Sequence, residues 1–443
     1  MAVITAAYRN GNPLTLFEGN TPIKGGGVPF PSAFADFVVI GDSTVVGESG
    51  TSGAAFGWVG LLATLYGATA LNRGIGGTVL QNSADAGGSP RSNNMRDRYL
   101  SDMTGASKRA FAFVAGGGND GRYTAAPATF NVENYTNDLR EMLWGLLAAG
   151  YQQSDICVVA PIWKSDVGLN TGSAGFTGQS RAGYEAFVEA AKSVAREFGV
   201  YLADAYAAVR DNGAEALISA DDIHLNDAGH QVVLNQAILK ATRIPVSAPA
   251  DPYASYFVFD TFSDVDGRGI TGHSGERGAK WAPQPGVTNG GSTIHAGAVV
   301  NNGTGVYQAF AEPPSADYTV TGKFLCRSGL TGDSVAVAAR MSTSENTLYW
   351  AGYSRANGGF RLFKTVAGTP TQLGSTYTMA VNVGQEFTVA LQVSGSTIKM
   401  FVDGVERVSV TDSAIAAAGR VGMRNSIVQS PTTGCHLTEL SAA

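Results

Sequence analysis

Charged residues and cysteines are both scarce in this chain. Of its 443 residues, 15% are Asp, Glu, Lys or Arg, the net charge is −6, and only three are cysteines. A nucleic-acid-binding protein presents a basic face, so this composition argues against a nucleic acid partner. No group of cysteines and histidines has the spacing of a zinc site, and we therefore expect no bound metal.

A long hydrophobic run is also missing. No segment approaches the length of a membrane span, which predicts a soluble protein without membrane insertion. The first nine residues lack the charged stretch and apolar core of a secretory signal peptide. If the protein acts outside a cell, we expect it to arrive there by another route or as part of a particle.

The composition of the chain changes along its length and predicts two domains. Residues 1–35, rich in glycine, proline and threonine, are predicted to form an extended arm, suited to packing in a homo-oligomer or to attachment to a larger particle. Residues 36–243 alternate strand-like and helical patterns, which predicts an α/β domain with a parallel sheet covered on both faces. Three prolines mark a linker at 244–252. Residues 253–443 carry short strand patterns typical of an all-β sandwich or jelly roll.

Apolar spacing predicts individual elements in both domains. In the first domain we expect helices at 132–149, 181–198 and 228–242 and strands at 37–40, 68–72, 111–115, 156–160 and 200–203. In the second domain we expect strands at 318–325, 334–341, 348–353, 359–364, 386–393 and 397–402. Asp403-Gly404, between two valines, predicts a tight hairpin turn.

Ser43 is the candidate nucleophile of the first domain. It follows the apolar run Phe37–Ile40, so it is predicted to lie at the carboxyl edge of the sheet, where open α/β sheets bind ligands. Asp42 and Ser43 are also good helix caps, which leaves a purely structural interpretation open. The tripeptide Gly-Asp-Ser is weak evidence by itself, because it recurs at 332–334.

A serine nucleophile needs a base, and the first domain contains two histidines. His224 and His230 lie between the last predicted strand and the last predicted helix, and each follows an aspartate by three residues. His224 is predicted to lie in a loop, where Asp221 can accept a hydrogen bond from Nδ1 and leave Nε2 to face the serine. His230 is predicted to have a structural role in the first turn of the helix, capped by Asn226 or Asp227.

Donors for an oxyanion are expected at the same sheet edge. Asn119 follows three glycines after the third predicted strand, and its side-chain amide can donate to a developing negative charge. Gly77 follows the second strand, where glycine lets a backbone N–H approach a ligand closely. Both segments can also be ordinary turns.

In combination, these blocks resemble the SGNH hydrolases, the superfamily of GDSL-type esterases. The matching blocks are Gly41-Asp42-Ser43, Asn72 to Gly77, Gly117 to Asp120 and Asp221 to His224. The resemblance implies a three-layer α/β/α, flavodoxin-like fold and an ester hydrolase without metal or cofactor. It also implies that Ser43 is the nucleophile, His224 the base and Asp221 its partner. The implied oxyanion hole consists of the Ser43 and Gly77 backbone N–H groups and the Asn119 side chain. Asp42 is then expected to hold the turn.

The second domain is similar, more weakly, to concanavalin A-like (laminin-G-like) sandwiches, which often bind carbohydrate and sometimes calcium. The similarity lies in residues 257–267 and 419–424. Asp264 and Asp266 are candidates for a cation loop or for ordinary turn residues, and Tyr349, Trp350 and Tyr353 are candidates for sugar stacking or for core packing. Cys326 and Cys435 are expected to be reduced, with a disulfide as the alternative.

An esterase joined to a sugar-binding module suggests a carbohydrate esterase that removes acetyl groups from a polysaccharide. Trp163 and Tyr184 are candidate sugar contacts in a loop over the site. By analogy, the layout resembles phage tail-associated proteins that deacetylate a host surface glycan. Two rivals stay open: a general or lipid esterase with a purely structural β domain, and a non-enzymatic virion or surface adhesin on a vestigial hydrolase scaffold.

Overall fold

The computed structural model describes residues 27–82, 93–122, 131–171 and 178–443, apart from residues 265, 274, 279, 304, 310, 329–331 and 333. Before residue 27 it describes only the backbone of four short strands, which form two antiparallel pairs: β1 (Tyr8–Arg9) with β2 (Asn12–Pro13), and β3 (Leu16–Glu18) with β4 (Thr21–Ile23). The other residues of the predicted arm before residue 27 lie outside the described residues. Within the described residues, no helix is both long and apolar enough to span a membrane.

A seven-stranded sheet forms the centre of the first domain. Its strands are β5 (Val28–Pro29), β6 (Asp36–Gly41), β7 (Thr69–Gly74), β8 (Phe111–Ala115), β9 (Ile156–Val159), β10 (Tyr201–Ala203) and β11 (Thr242–Arg243). Their order is β5-β11-β10-β9-β8-β6-β7, and the five strands from β10 to β7 are parallel. The chain therefore leaves β6 in one direction along the sheet and returns on its other side at β8. Ligands bind at such a switch point in open α/β sheets.

Helices cover the sheet on both faces, which confirms the three-layer α/β/α prediction. They are α1 (Ser43–Val46), α2 (Trp58–Tyr66), α3 (Met95–Met103), α4 (Gly118–Arg122), α5 (Val132–Ala148), α6 (Asp166–Thr171), α7 (Arg181–Glu197), α8 (Ala205–Asp211) and α9 (Asp227–Val232). Helices α3, α5 and α7 pack together, and α2 and α8 pack on the π-helical continuation of α9 (Val233–Ile238). The four central residues of β6 are fully buried between these layers.

Two details of the first domain differ from the sequence prediction. Val28 and Pro29 belong to the sheet, since they pair with β11, and Phe30 packs in the core, so the end of the predicted arm is part of the domain. The helix predicted at 228–242 is too long. Its helical structure ends at Ile238, and Thr242 instead forms an antiparallel bridge with Leu202 of β10.

The second domain is a sandwich of two antiparallel sheets, as predicted. One sheet contains β12 (Val258–Asp260), β14 (Ser292–Ile294), β15 (Val299–Asn301), β17 (Tyr318–Ser328), β22 (Glu386–Ser394), β23 (Thr397–Val402), β24 (Val405–Thr411) and β26 (Gly434–Ala442). The other contains β13 (Trp281–Pro283), β16 (Gly305–Ala309), β18 (Ser334–Met341), β19 (Leu348–Ser354), β20 (Gly359–Val366), β21 (Thr369–Thr378) and β25 (Arg420–Asn425).

Alternating burial explains why these segments form strands. Along β17 buried and half-buried residues alternate, so one side chain in two faces the core between the sheets. The predicted hairpin turn is present, because Asp403 and Gly404 both have positive φ, 49° and 76°, between the paired residues Val402 and Val405. Tyr349 and Tyr353 pack in this core, as the structural alternative expected.

The linker and the sandwich both contact the first domain. Trp144 Nε1 of α5 donates to Pro249 O at 2.9 Å, so the linker lies against the first domain. Lys280 Nζ of the sandwich lies 2.6 Å from Asp97 Oδ2 of α3. Glu133 and Ser263, one from each domain, line one cavity together with Trp144 and Tyr253, and the volume of this cavity is about 420 Å³.

Candidate active site

Ser43 lies where β6 turns into α1. Asp42 caps the helix, because its Oδ1 accepts a hydrogen bond from Thr44 N at 2.9 Å. The preceding Gly41 is required by space, since a Cβ there would lie 2.2 Å from Val45 Cγ2 and 2.7 Å from Ala115 O. The turn is therefore tight, and it presents the Ser43 hydroxyl at the carboxyl edge of the sheet.

Ser43, His224 and Asp221 form one continuous hydrogen-bonded chain. Ser43 Oγ lies 2.8 Å from His224 Nε2, and His224 Nδ1 lies 2.5 Å from Asp221 Oδ2. Although Ser43 and His224 are far apart in sequence, the fold brings them together in the arrangement that a serine nucleophile, a base and its orienting acid need. The side chain of His224 is 19% exposed, so the nucleophile can be reached from solvent.

Asp221 holds the loop of the histidine as well as its ring. Its Oδ1 accepts hydrogen bonds from Ile223 N and His224 N, both at 2.9 Å, and from Ser219 Oγ at 2.7 Å. Partial burial acts to raise the pKa of Asp221, but these hydrogen bonds, led by the one from His224, lower it well below its usual value. The carboxylate is therefore charged at neutral pH and fixes Nδ1 of His224 as the protonated nitrogen.

His230 has the structural role that the sequence predicts. It is buried, and its Nδ1 accepts a hydrogen bond from Trp58 N at 3.2 Å. Burial lowers its pKa to about 4, so it is neutral at pH 7 and acts as an acceptor. Asn226 caps the helix, with its Oδ1 2.9 Å from Gly229 N. Asp227 instead accepts hydrogen bonds from the backbone N and the hydroxyl of Ser52, a contact that the sequence did not reveal.

The candidate oxyanion residues lie in adjoining loops at the switch point. Asn119 is the second residue of α4, which follows β8 after two glycines. Its Nδ2 donates to Thr78 O at 2.8 Å, which ties it to the loop of Gly77 after β7. Gly77 has a φ of +72°, a conformation that favours glycine. Asp120, fully buried, accepts from Leu80 N at 2.8 Å and from Gln81 N at 3.0 Å and fastens the same loop. The assignment of Gly77 and Asn119 to an oxyanion hole remains a proposal.

The structure contradicts the prediction that Tyr184 contacts a sugar. Tyr184 is fully buried, and its hydroxyl donates to Ile162 O at 2.7 Å. Its place on α7, three and four residues before Phe187 and Val188, gives it the spacing of a core-facing helix position. Trp163 is 7% exposed, with the Arg181 guanidinium 5.0 Å from its ring centre, which leaves little free ring surface for a sugar.

A second set of contacts holds the histidine loop, and no motif in the sequence indicates it. Lys164 Nζ donates to Ile223 O at 3.0 Å, and Ser165 Oγ lies 3.0 Å from Asp222 Oδ1. Both partners lie between Asp221 and His224. Both contacts join distant parts of the chain, and the one from Lys164 is made to a backbone oxygen, so local sequence patterns carry no sign of them.

The described part of the chain contains no group of three or more His, Cys, Asp or Glu side chains that could hold a metal ion. In the sandwich, the two aspartates of the suggested cation loop have other partners. Asp264 Oδ2 lies 3.0 Å from His273 Nδ1, and Asp266 Oδ1 accepts from Ala296 N at 2.7 Å. These contacts support the alternative that both residues serve the local structure.

Comparison with known families identifies the first domain. Residues 39–232 match the family model described as the GDSL-like lipase/acylhydrolase family, which confirms the resemblance noted in the sequence and supports an ester-hydrolysing function. The match covers less than half of the chain and does not include the sandwich. No curated protein sequence matches the chain.

Solved structures resemble each domain separately. A lipase/acylhydrolase from Enterococcus faecalis is 14% identical, with a TM-score of 0.35, and the match covers 48% of this chain and 100% of that chain. The carbohydrate-binding module CBM66 from Bacillus subtilis is 16% identical, with a TM-score of 0.27, and covers 36% and 94% of the two chains. A galectin from Caenorhabditis elegans is 9% identical, with a TM-score of 0.23, and covers 38% and 91%. Likenesses this distant carry no conclusion about function.

Proposed function

We propose that the first domain is a serine esterase that hydrolyses carboxylic esters through an acyl-serine intermediate. The observation that carries the proposal is the hydrogen-bonded chain from Ser43 through His224 to Asp221 at the switch point of the sheet. In this mechanism Ser43 Oγ attacks the ester carbonyl, and His224 Nε2 takes the hydroxyl proton. His224 then gives that proton to the leaving alcohol, and water releases the acid by the same route.

The residues at the switch point have complementary roles in this proposal. The backbone N–H groups of Ser43 and Gly77 and the Asn119 amide stabilise the negative charge that develops on the carbonyl oxygen. Asp221 remains ionised and stabilises the positive charge that His224 gains in the transition state. None of these steps requires a metal or a cofactor.

The proposed substrate is an O-acetylated polysaccharide. Two features support it: the second domain is fixed to the first by the linker and the Lys280–Asp97 ion pair, and a polar cavity lies between them. That cavity exposes carboxylate, amide and guanidinium groups together with the Tyr253 ring, the kinds of group that contact sugars. A sandwich that holds a polymer would raise the local concentration of acetyl groups near Ser43.

The experiment that tests the activity is hydrolysis of p-nitrophenyl acetate by the wild type and by Ser43→Ala. We expect the substitution to lower kcat by about 10⁴-fold or more, because it removes the nucleophile, while the melting temperature stays within a few degrees. A variant that turns over at nearly the wild-type rate would exclude Ser43 as the nucleophile.

Substrate class is tested by acetate release from a panel of acetylated glycans and by a chain-length series of simple esters. A deacetylase should release acetate from at least one glycan and prefer acetyl to long acyl esters. A strong preference for long acyl chains would instead support the lipid esterase. If no ester is hydrolysed at all, the non-enzymatic adhesin is favoured. Attachment to a phage particle or a homo-oligomer through the N-terminal arm stays a prediction.

A further inference from the structure

Two consecutive residues hold the turn that carries the histidine. Lys164 and Ser165 follow β9, and each is 3% exposed. Lys164 Nζ donates to Ile223 O at 3.0 Å, and Ser165 Oγ lies 3.0 Å from Asp222 Oδ1. Ile223 immediately precedes His224, so Lys164 fixes the peptide group from which the imidazole extends.

The turn needs such support because its backbone is unusual. Asp222 has a φ of +62°, in the left-handed region that non-glycine residues rarely adopt. Asp221 binds the turn from within, through Ile223 N and His224 N. Lys164 and Ser165 bind it from the adjacent segment. The position of His224 relative to Ser43 therefore depends on contacts from both sides.

The surroundings of Lys164 show that its charge matters as well as its shape. Burial lowers its pKa to about 8, while the carboxylates of Asp42 and Asp221 attract the ammonium and the Arg122 guanidinium repels it. On neighbouring elements, Arg181 donates to the Lys164 carbonyl, and the Tyr184 hydroxyl donates to Ile162 O. A buried ammonium is costly, and an apolar side chain would fill the same space without that cost.

We propose that Lys164 is a positioning residue for the esterase reaction: its ammonium holds the Ile223 carbonyl so that His224 Nε2 faces Ser43 Oγ. The inference rests on the proposed function of Ser43 and His224. When the ammonium loses its proton, the charge-assisted hydrogen bond to Ile223 O weakens and Asp221 loses a positive neighbour. Activity should therefore fall as the pH rises through about 8.

Stability should respond to the same deprotonation in the opposite direction. A lysine whose pKa is lowered by folding binds a proton less tightly in the folded state than in the unfolded state. Between pH 8 and the ordinary lysine pKa of 10.5, this residue therefore contributes increasing stability as the pH rises. Deprotonation of Lys164 thus stabilises the folded state in this pH range. A loss of activity above pH 8 therefore cannot come from unfolding caused by that deprotonation.

The test compares Lys164→Met, Lys164→Arg and the wild type between pH 6 and 10. The readouts are kcat and KM for p-nitrophenyl acetate and the rate at which a fluorophosphonate labels Ser43. We expect Lys164→Met to lower kcat and the labelling rate by about tenfold to a hundredfold with KM nearly unchanged, and to abolish the decline above pH 8. Lys164→Arg keeps its charge, so its activity should persist beyond pH 9.

Lys192→Met is the matched control, because Lys192 is also buried but pairs with Glu189 and Asp204 away from the site. It should keep the wild-type rates and pH profile. The inference is overturned if Lys164→Met matches the wild type, or if the decline above pH 8 persists in Lys164→Arg. A Lys164→Met variant that does not fold leaves the arginine variant to decide. Failure of the fluorophosphonate to label the wild type at any pH would overturn the proposed function itself.

Discussion

Each domain contains a histidine hydrogen-bonded to aspartate, and the two histidines have opposite surroundings. In the first domain His224 has Asp221 on Nδ1 and the Ser43 hydroxyl on Nε2, with 19% of its side chain exposed. In the sandwich His273 lies between two carboxylates, with Nδ1 3.0 Å from Asp264 and Nε2 2.9 Å from Asp260, and its side chain is 1% exposed.

What an aspartate–histidine pair can do depends on the group that the other ring nitrogen of the histidine contacts. Burial acts to lower the pKa of His273, but Asp260 and Asp264 outweigh it and raise the pKa to about 9. His273 is therefore a cation at neutral pH with both nitrogens occupied, and it serves as an internal ion pair. His224 keeps a nitrogen that can accept a proton from a hydroxyl, which is what a general base requires.

Among changes to the two aspartate–histidine pairs, the largest effect is expected from Asp221→Asn. An asparagine cannot stabilise the positive charge on His224, and its amide can hold the ring in the wrong tautomer, so kcat for p-nitrophenyl acetate should fall by about 10³-fold. Asp227→Asn is the matched control, because Asp227 has the same spacing to His230 but contacts Ser52. Equal losses in both variants would contradict the assignment of Asp221 as the partner of the base.

The corresponding change in the sandwich is Asp260→Asn, which should affect stability and not chemistry. Asp260 is fully buried and accepts hydrogen bonds from Trp281 Nε1 at 2.6 Å and from Phe262 N at 2.6 Å as well as contacting His273. Breaking a buried ion pair costs about 3–5 kcal/mol, so the free energy of unfolding of the sandwich should fall by that amount.

Calorimetry of the full chain measures this loss, and kcat on p-nitrophenyl acetate should stay within about twofold of the wild type. Asp266→Asn provides the comparison, since Asp266 is exposed and accepts a hydrogen bond from Ala296 N. A sandwich that tolerates Asp260→Asn as well as Asp266→Asn would show that the buried pair contributes nothing to stability.

The pH dependence of sandwich stability should report His273. Its pKa is about 9 in the folded state and about 6.5 when unfolded, so its contribution is complete below pH 6.5 and is lost as the pH rises through 9. The expected loss is about 3 kcal/mol, visible as a falling melting temperature of the sandwich between pH 7 and 10. His273→Gln should flatten this decline; if the slope is unchanged in the variant, His273 is not its source.

The sequence predicts most of the fold, because the central strands and the long helices are strongly periodic. Helices 132–149 and 181–198 agree with α5 and α7 within one residue at each end. The sequence did not predict β5 and β11. Each strand has only two residues, which are too few to show a period, and the two strands pair with each other although they lie far apart in the sequence. The overlong final helix has the same origin, since Thr242 bonds to a neighbouring strand.

The site residues that could be predicted are those whose side chains have a recognisable spacing along the sequence. Asp221 and His224, three residues apart, meet in one turn, and Ser43 reaches them through the order of the strands. Lys164 was not predictable, because its partner is a backbone carbonyl, which every residue has. Tyr184 was misjudged because it was assigned to a loop over the site, although its helical spacing with Phe187 indicated burial.

The smallest expected effect concerns the cysteines, which also differ between the domains. All three are reduced, but Cys326 and Cys435 lie directly opposite each other on β17 and β26, whereas Cys157 lies within β9. Cys326 N and O bond to the segment 384–385, and Cys435 O accepts from the Gln429 side chain, so neither carbonyl bonds across this pair. In such a non-hydrogen-bonded pair the Cα atoms lie about 4.5 Å apart, within the range of a disulfide.

Prolonged incubation with glutathione disulfide should therefore join Cys326 to Cys435, with release of two glutathione thiols, and leave Cys157 free. Cross-linking the last strand to β17 should raise the melting temperature of the sandwich by about 5 °C, because the bridge restricts the unfolded chain. Thiol counting in denaturant and peptide mass spectrometry measure the bond, with Cys326→Ala as the blocked variant and Cys157→Ala as the unaffected one. Recovery of all three thiols would contradict this prediction. It would show that Cys326 and Cys435, although aligned, do not react with glutathione disulfide because both sulfurs are fully buried.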